Sequence, residues 1–240
     1  MSASTLMESS FFSSAKYPMK PYSNDTITQI FGSVAFHTVL FFVFYALSSV
    51  IFSTFKTLDF SKKMDWVSRL VSNFHAIVSF CGALYAILTY PCYLTWNFSC
   101  YDNGIGELTM RYTIGYFCYD LLLILAFYKK LGSIGMVLHH VFGILGWGLI
   151  LSYGSFSFVA LMFTLTEATT PFVNQRWFLY ECKMKETSLY AAFGFLLWLA
   201  WSIVRVPLVP LCGYYLYLNY EGLISVLFGS NKKKDIKKND

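Results

Sequence analysis

Residues 134–152 read IGMVLHHVFGILGWGLILS, and none of these positions holds Asp, Glu, Lys or Arg. A helix needs about 20 mostly apolar residues to cross the hydrocarbon core of a bilayer. The stretch therefore predicts a membrane-spanning helix. It also carries two adjacent histidines, His139 and His140, to a depth where titratable side chains are costly and usually face the interior of a helix bundle.

The whole chain has the same apolar character. Of its 240 residues, 56% are hydrophobic and 13% are Asp, Glu, Lys or Arg, whereas about a quarter of the residues are charged in a typical soluble domain. A soluble domain of this length could not bury so much apolar surface. The composition predicts an all-α, polytopic membrane helical bundle. The net charge of +5 comes largely from the tail after Ser230, so it does not indicate nucleic-acid binding.

Seven apolar stretches are candidate membrane spans. The first follows a polar segment, residues 1–26, and the last precedes a basic tail, residues 229–240. Pro207 and Pro210 interrupt the apolar run after Arg205, which predicts a break or a tight turn, with a single kinked helix as the alternative. The seven stretches are residues 27–52, 66–91, 109–128, 134–152, 155–171, 188–206 and 208–228.

Lysine and arginine concentrate in cytosolic loops, so their positions predict the orientation. With seven spans, every basic loop and the tail are cytosolic and the N-terminus is lumenal, whereas six spans place the tail on the other side. The loop between spans two and three is then lumenal, where Cys92 and Cys100 either pair or remain free thiols. Asn24 and Asn97 lie in lumenal glycosylation sequons.

The last four residues place Lys237 and Lys238 at the fourth and third positions from the C-terminus. On a cytosolic tail this spacing matches the dilysine retrieval signal of endoplasmic reticulum membrane proteins, which is an address read by a receptor. The alternative is a basic tail that is attracted to anionic lipid. The sequence therefore predicts residence in the endoplasmic reticulum.

Several predicted spans carry titratable residues at a similar depth in the cytosolic half. His75, Asp120 and the pair His139 and His140 each lie about 13 Å from the cytosolic ends of their spans, and Glu167 lies at about 8 Å. We predict that Asp120 hydrogen-bonds one of the two adjacent histidines, with His75 in the same cavity. The alternative is that these groups only hold helices together.

Three other residues of the spans have simpler interpretations. For His37, hydrogen bonding between helices is the favoured interpretation. Arg205 and Arg69 lie towards the ends of their spans, where long side chains reach the interface.

The order and spacing of these residues resemble the TLC-domain family, which includes the ceramide synthases, the TRAM translocon proteins and the lipofuscinosis protein of the CLN type. The match runs from Asp65 to about Arg205 and includes the stretch PFVNQRWF at residues 171–178. That stretch resembles the small TLC-domain-containing branch once called transmembrane protein fifty-six.

The resemblance implies a TLC domain at residues 60–228. Spans two to seven would form a barrel-like bundle of six helices around a lipid-accessible cavity, with span one outside. It also implies acyl transfer to a lipid, with acyl-coenzyme A as co-substrate and no bound cofactor or metal. The residues expected to act are His139, His140, Asp120 and His75 as catalytic groups and Asn73, Glu167, Asn174 and Arg205 as substrate-binding groups.

One departure argues against a true ceramide synthase. Those enzymes carry a His-Asp-x-x-Asp stretch after the histidine pair, whereas this chain has no Asp or His from Val141 to Glu181, and Glu167 is the carboxylate available within the span. The sequence therefore keeps two interpretations open: an acyltransferase-like enzyme of lipid metabolism, and a non-enzymatic protein that senses, moves or scaffolds lipid with the same pocket.

Overall fold

The computed structural model describes residues 21–97, 99–102, 104–128 and 132–228, and within these ranges the chain is helical without strands. Most of the polar segment 1–26 and the whole basic tail 229–240 lie outside these ranges. The predicted retrieval signal, Lys237 and Lys238, is therefore outside the described residues and stays a prediction.

The described residues form ten α-helices, two 3-10 segments and one π segment. The 3-10 segments are Pro91–Thr95 and Leu165–Thr169, and the π segment is Trp201–Arg205. The α-helices are α1 (Asn24–Ile51), α2 (Ser53–Thr57), α3 (Phe60–Thr89), α4 (Ile105–Ala126), α5 (Ile134–Tyr153), α6 (Ser157–Thr164), α7 (Thr170–Glu181), α8 (Ser188–Ala200), α9 (Val206–Leu218) and α10 (Tyr220–Phe228).

Short polar side chains fix where the long helices begin. Ser23, Asp59, Ser133 and Thr187 each accept a hydrogen bond from a backbone N–H in the first turn of α1, α3, α5 and α8. Such caps satisfy N–H groups that have no partner inside the helix. Gly154 ends α5 with φ +60°, a conformation that glycine adopts without steric cost.

Four helices of the described chain are long and apolar enough to cross a membrane: α1, α3, α5 and the continuous helix Ser188–Leu218. Helix α4 also has 22 residues, but Glu107, Arg111 and Asp120 make it less apolar. The structure thus confirms a helical membrane protein, and it gives four spans by these criteria where the sequence predicted seven.

The predicted break at Pro207 and Pro210 is wrong. Helices α8 and α9 join through the π segment into one helix of 31 residues. The N–H of Val206 donates to the carbonyl of Trp201, five residues earlier, so the wider turn carries the chain into the prolines without a loop. Membrane helices tolerate proline where local π adjustments satisfy the freed backbone groups. The alternative interpretation, one continuous helix, is therefore correct for this segment.

Helix α4 lies at the centre of the packing and contacts α1, α3 and α5. Helix α1 was expected outside the bundle, yet it packs closely on α4 at Gly115. A Cβ on Gly115 would lie 2.4 Å from the Cβ of Ser33 and 2.7 Å from the carbonyl oxygen of Ile30. Because small residues let helices approach closely, this glycine makes α1 part of the packed structure.

Two contacts mark the opposite ends of the bundle. Cys92 and Cys100 form a disulfide in the α3–α4 loop, which resolves the alternative left open by the sequence. The side-chain amide of Asn219, just after α9, donates to the carbonyl of Trp96 in the same loop at 3.0 Å. At the other end, Lys62 of α3 pairs with Glu181 of α7 at 2.8 Å.

Candidate intramembrane site

A buried ion pair joins α4 and α5. Nε2 of His140 lies 2.9 Å from Oδ2 of Asp120, and the two residues are 3% and 5% exposed. The other carboxylate oxygen, Oδ1, accepts a hydrogen bond from the Ser68 hydroxyl of α3 at 3.1 Å. The predicted hydrogen bond between Asp120 and one of the adjacent histidines is therefore confirmed, and α3 contributes to it as well.

Both ring nitrogens of His140 face acceptors. Nδ1 donates to the backbone carbonyl of Met136 at 2.8 Å, and Nε2 faces the Asp120 carboxylate. A neutral imidazole has one N–H, and an ionised carboxylate has no proton. Hydrogen bonds at both ring nitrogens therefore require one additional proton on the pair formed by His140 and Asp120. Because these bonds occupy both nitrogens, His140 fixes the rotation of α5 against α4 and has no free nitrogen for a substrate.

His139 faces away from this pair. Its side chain is exposed on the surface of the helices, and its ring centroid lies 5.4 Å from that of His140. Within the described residues its ring nitrogens have no hydrogen bond. Gly143, one turn later, brings α4 close, since a Cβ there would lie 2.4 Å from the Phe117 ring. His139 is thus the histidine that an external lipid can reach.

His75 belongs to a different cluster from the one predicted. It is fully buried and stacks on Tyr116 with ring centroids 3.7 Å apart. The Phe117 ring lies between His75 and His140. Its centroid is 6.1 Å from that of His75 and 5.4 Å from that of His140. His75 lies near the layer but is not exposed to a cavity shared with His140, so its packing fits a structural role.

His37 confirms the interpretation that it holds helices together. Its Nδ1 donates to the carbonyl of Ser33 on its own helix at 2.7 Å. The other nitrogen, Nε2, then accepts from the Tyr112 hydroxyl of α4 at 3.1 Å. The side chain is fully buried, so this bond ties α1 to α4 in the bundle.

Asn73 and Asn174, expected to bind substrate, satisfy each other. The Asn174 amide donates to the side-chain oxygen of Asn73 at 2.8 Å, and its own oxygen accepts from Arg69 at 3.0 Å. Arg69 also pairs with Asp65 at 2.8 Å and lies over the Trp177 ring. Arg69, expected to reach for the interface, therefore joins α3 to α7 through this network.

Glu167 and Arg205 lie on the irregular segments beside the histidine pair. Glu167 accepts from the Thr170 hydroxyl at 2.7 Å, and Arg205 donates to the Thr169 hydroxyl at 3.2 Å. Glu167 lies close enough to Arg205 and His140, and Arg205 close enough to His139, for their charges to interact. Asp120, the two histidines, Glu167 and Arg205 thus form one polar layer, which we call the His139 site.

The supporting residues carry weaker signals in the sequence. Ser68 lies on a polar stripe of α3 with Ser72 and Ser79, and this spacing indicates a buried polar face. Arg176 carries no such signal in the sequence, and it lies inside α7.

Comparison with known proteins identifies the family of the chain. The model of the TLC domain matches residues 65–227. The chain is 34% identical to TLC domain-containing protein 4-B of Xenopus laevis over 84% of this chain and 75% of that protein. It is 29% identical to TLC domain-containing protein 4 A of Dictyostelium discoideum, over 78% and 74% of the two chains.

The human relative, TLC domain-containing protein 4, is 29% identical over 71% of this chain and 65% of that protein. The names of these three relatives support the resemblance to the small TLC-domain-containing branch. All three names contain TLC domain-containing protein 4, and none contains transmembrane protein fifty-six. No solved structure matches the chain.

Proposed function

Because the chain belongs to the TLC-domain family, whose members are generally membrane proteins of lipid metabolism, we propose that it acts on a membrane lipid at the His139 site. One observation carries the proposal: an exposed histidine with free nitrogens stands beside a buried histidine–carboxylate pair at membrane depth. Ionisable groups in a membrane are costly, and they mark functional sites by default.

Acyl transfer is the reaction class that this arrangement suits best. A free imidazole nitrogen of His139 would take the proton of a lipid hydroxyl or amine. The resulting nucleophile would attack the thioester carbonyl of an acyl-coenzyme A, forming an ester or amide bond and breaking the carbon–sulfur bond. The proton on His139 then passes to the departing thiolate. In this scheme His140 and Asp120 are positioning residues, because their polar atoms are already bonded to each other and to the helices.

A second candidate function is lipid binding without chemistry. It is favoured by the Asn73–Asn174 bond, which withdraws two expected substrate contacts from the site. It is also favoured by the lack of an Asp or His from Val141 to Glu181.

Replacing His139 by Ala tests the enzymatic proposal. We expect His139→Ala, expressed in cells that lack the protein, to fail to restore the lipid profile, because the free imidazole is the proposed general base. Leu138→Ala, on the same exposed stretch of α5, should restore it. Lipidomics at matched protein levels is the measurement. Restoration by both variants would remove the enzymatic proposal and leave lipid binding.

The structure supports a revised membrane topology. The disulfide Cys92–Cys100 favours an oxidising lumen for the α3–α4 loop. Asn219 contacts that loop, so α9 ends on the same side. The nine described residues of α10 give about 13 Å of helix, less than half of the hydrocarbon core, and the sequence from Gly229 onwards is mostly polar and basic. We therefore place the chain after α9 on the lumenal side, in contrast to the cytosolic tail expected from seven spans.

Protease protection decides between these topologies. In sealed microsomes we expect an epitope at Asp240 to be protected, and an epitope in the α7–α8 loop at Glu186 to be cleaved. Cleavage at Asp240 would restore the seven-span topology and with it the retrieval role of Lys237 and Lys238. Residence in the endoplasmic reticulum remains our proposal, supported by the family resemblance and the lumenal disulfide.

A further inference from the structure

Arg176 of α7 packs against the first half of α8. Its guanidinium carbon is 4.6 Å from the centroid of the Tyr190 ring. It is also 3.5 Å from the position that a Cβ would take on Gly194. Because Gly194 has no side chain, the guanidinium can approach the surface of α8 closely. One side of the guanidinium is thus covered by α8, while the end of the Arg176 side chain faces a groove.

No acid compensates this guanidinium within the described part of the chain. Its Nε is buried and has no hydrogen-bond partner there, and none of the ion pairs of the described residues includes it. By contrast, Arg69 pairs with Asp65 and Arg111 pairs with Glu107. The other donors of Arg176, Nη1 and Nη2, are not among the buried atoms without a partner, so an anion from outside the chain can reach them.

The groove beside Arg176 has a volume of about 450 Å³, which lies within the range of small-molecule sites. Its wall is mostly apolar and consists of Trp198, Trp201, Leu197 and Val206. Ser202 also lines the groove, but its hydroxyl donates to the carbonyl of Trp198 on its own helix. The groove therefore combines one uncompensated cation with a long apolar surface.

The cation lies at the end of the groove near the membrane surface. Arg176 is five residues from the end of α7, about 8 Å along the helix. From Gly194 to Val206 the wall extends about 18 Å, close to the roughly 15 Å of one leaflet. The α7–α8 loop exposes Lys183, Lys185 and Glu186 outside the groove, so Arg176 is the charged residue that lines it.

We propose that this groove binds one anionic glycerophospholipid from the leaflet on the side of the α7–α8 loop. The lipid phosphate would accept hydrogen bonds from Arg176, and one acyl chain would lie along Trp198, Trp201 and Val206. The guanidinium fork suits a phosphate because it can donate two parallel bonds. The proposal depends on the membrane location of the chain and not on chemistry at His139.

Titration of the purified full-length protein with phosphatidylserine, followed by native mass spectrometry, tests the proposal. We expect Arg176→Gln to weaken binding about tenfold, as expected for loss of a charge-assisted hydrogen bond. The affinity of Arg176→Lys should lie between those of the wild type and Arg176→Gln, since lysine keeps the charge but cannot donate the two parallel bonds of a guanidinium. Lys185→Gln removes a nearby exposed charge outside the groove and should change binding less than twofold.

A second variant keeps the test informative if Arg176→Gln does not fold. Trp198 is 62% exposed, so Trp198→Ala should fold normally and weaken binding through the lost apolar wall. Equal binding by the wild type and both variants would overturn the proposal, as would an equal loss in Lys185→Gln. Displacement of phosphatidylserine by millimolar inorganic phosphate or coenzyme A would also overturn it, because the site would then take a soluble anion.

Discussion

Asp120→Ala is expected to destabilise the protein by about 3 kcal/mol, at the lower end of the cost of breaking a buried ion pair. The variant removes the partner of His140 Nε2 and the acceptor of the Ser68 hydroxyl together. The imidazole can lose a proton in response, which limits the cost. Unfolding of the purified protein in detergent micelles measures the effect, and Glu186→Ala in an exposed loop should stay within about 0.5 kcal/mol of wild type.

Asp120→Asn should behave very differently. A neutral His140 that keeps its Nδ1–H on the Met136 carbonyl presents a lone pair at Nε2, which can accept from the new amide N–H. The amide oxygen can still accept from Ser68. We expect a loss within about 1 kcal/mol. If Asp120→Asn destabilises the protein as much as Asp120→Ala, the negative charge itself holds α4 and α5 together. The explanation from hydrogen-bond geometry is then wrong.

Gly115→Ala is expected to separate α1 from α4 and to cost about 3 kcal/mol, the upper end for overpacking a tight contact. The added methyl group would meet the carbonyl oxygen of Ile30 at 2.7 Å and the Cβ of Ser33 at 2.4 Å. The carbonyl belongs to the backbone, so no rotamer change relieves the contact. Separation also lengthens the His37–Tyr112 bond. Detergent unfolding gives the cost.

Two variants sharpen this test. Gly32→Ala lies on the facing helix with nothing within 4 Å of the new Cβ, so it should be neutral or stabilising by about 0.5–1 kcal/mol. Adding Ser33→Gly to Gly115→Ala removes one of the two clashes and should restore only part of the stability. Full restoration would show that the Ile30 carbonyl is not a barrier.

The sequence predicted the contacts that depend on how deep a residue lies in its span and on how short the loop between two spans is. Asp120 and one of the two adjacent histidines were expected to meet because they lie at similar distances from the short loop between spans three and four, and the structure joins Asp120 to His140. The sequence left the choice between His139 and His140 open. The rotation of α5 about its axis decides it, and the packing of Gly143 against Phe117 contributes to that rotation together with the His140–Asp120 pair.

The sequence failed where tertiary contacts override a local signal. His75 shares the predicted depth, but its ring stacks on Tyr116, and depth does not reveal which neighbour a ring will face. Arg69 near the end of a span suggested an interfacial side chain, yet Asp65 and Asn174 hold it within the bundle. The prolines after Arg205 suggested a turn, because periodicity cannot distinguish a π turn from a break.

The π segment Trp201–Arg205 has an evolutionary consequence. A π turn holds about one residue more than an α turn, and such segments are commonly found at functional sites. Because the π turn accommodates that extra residue, deleting one residue between Trp201 and Arg205 would return the helix to regular α geometry and leave the facing of α8 relative to α9 nearly unchanged. A one-residue deletion within α8 or α9 would instead rotate the residues on one side of it by about 100° relative to the other, so the contacts on both sides could not be kept. Natural one-residue deletions in this helix should accordingly be tolerated within these five positions and selected against elsewhere in the helix.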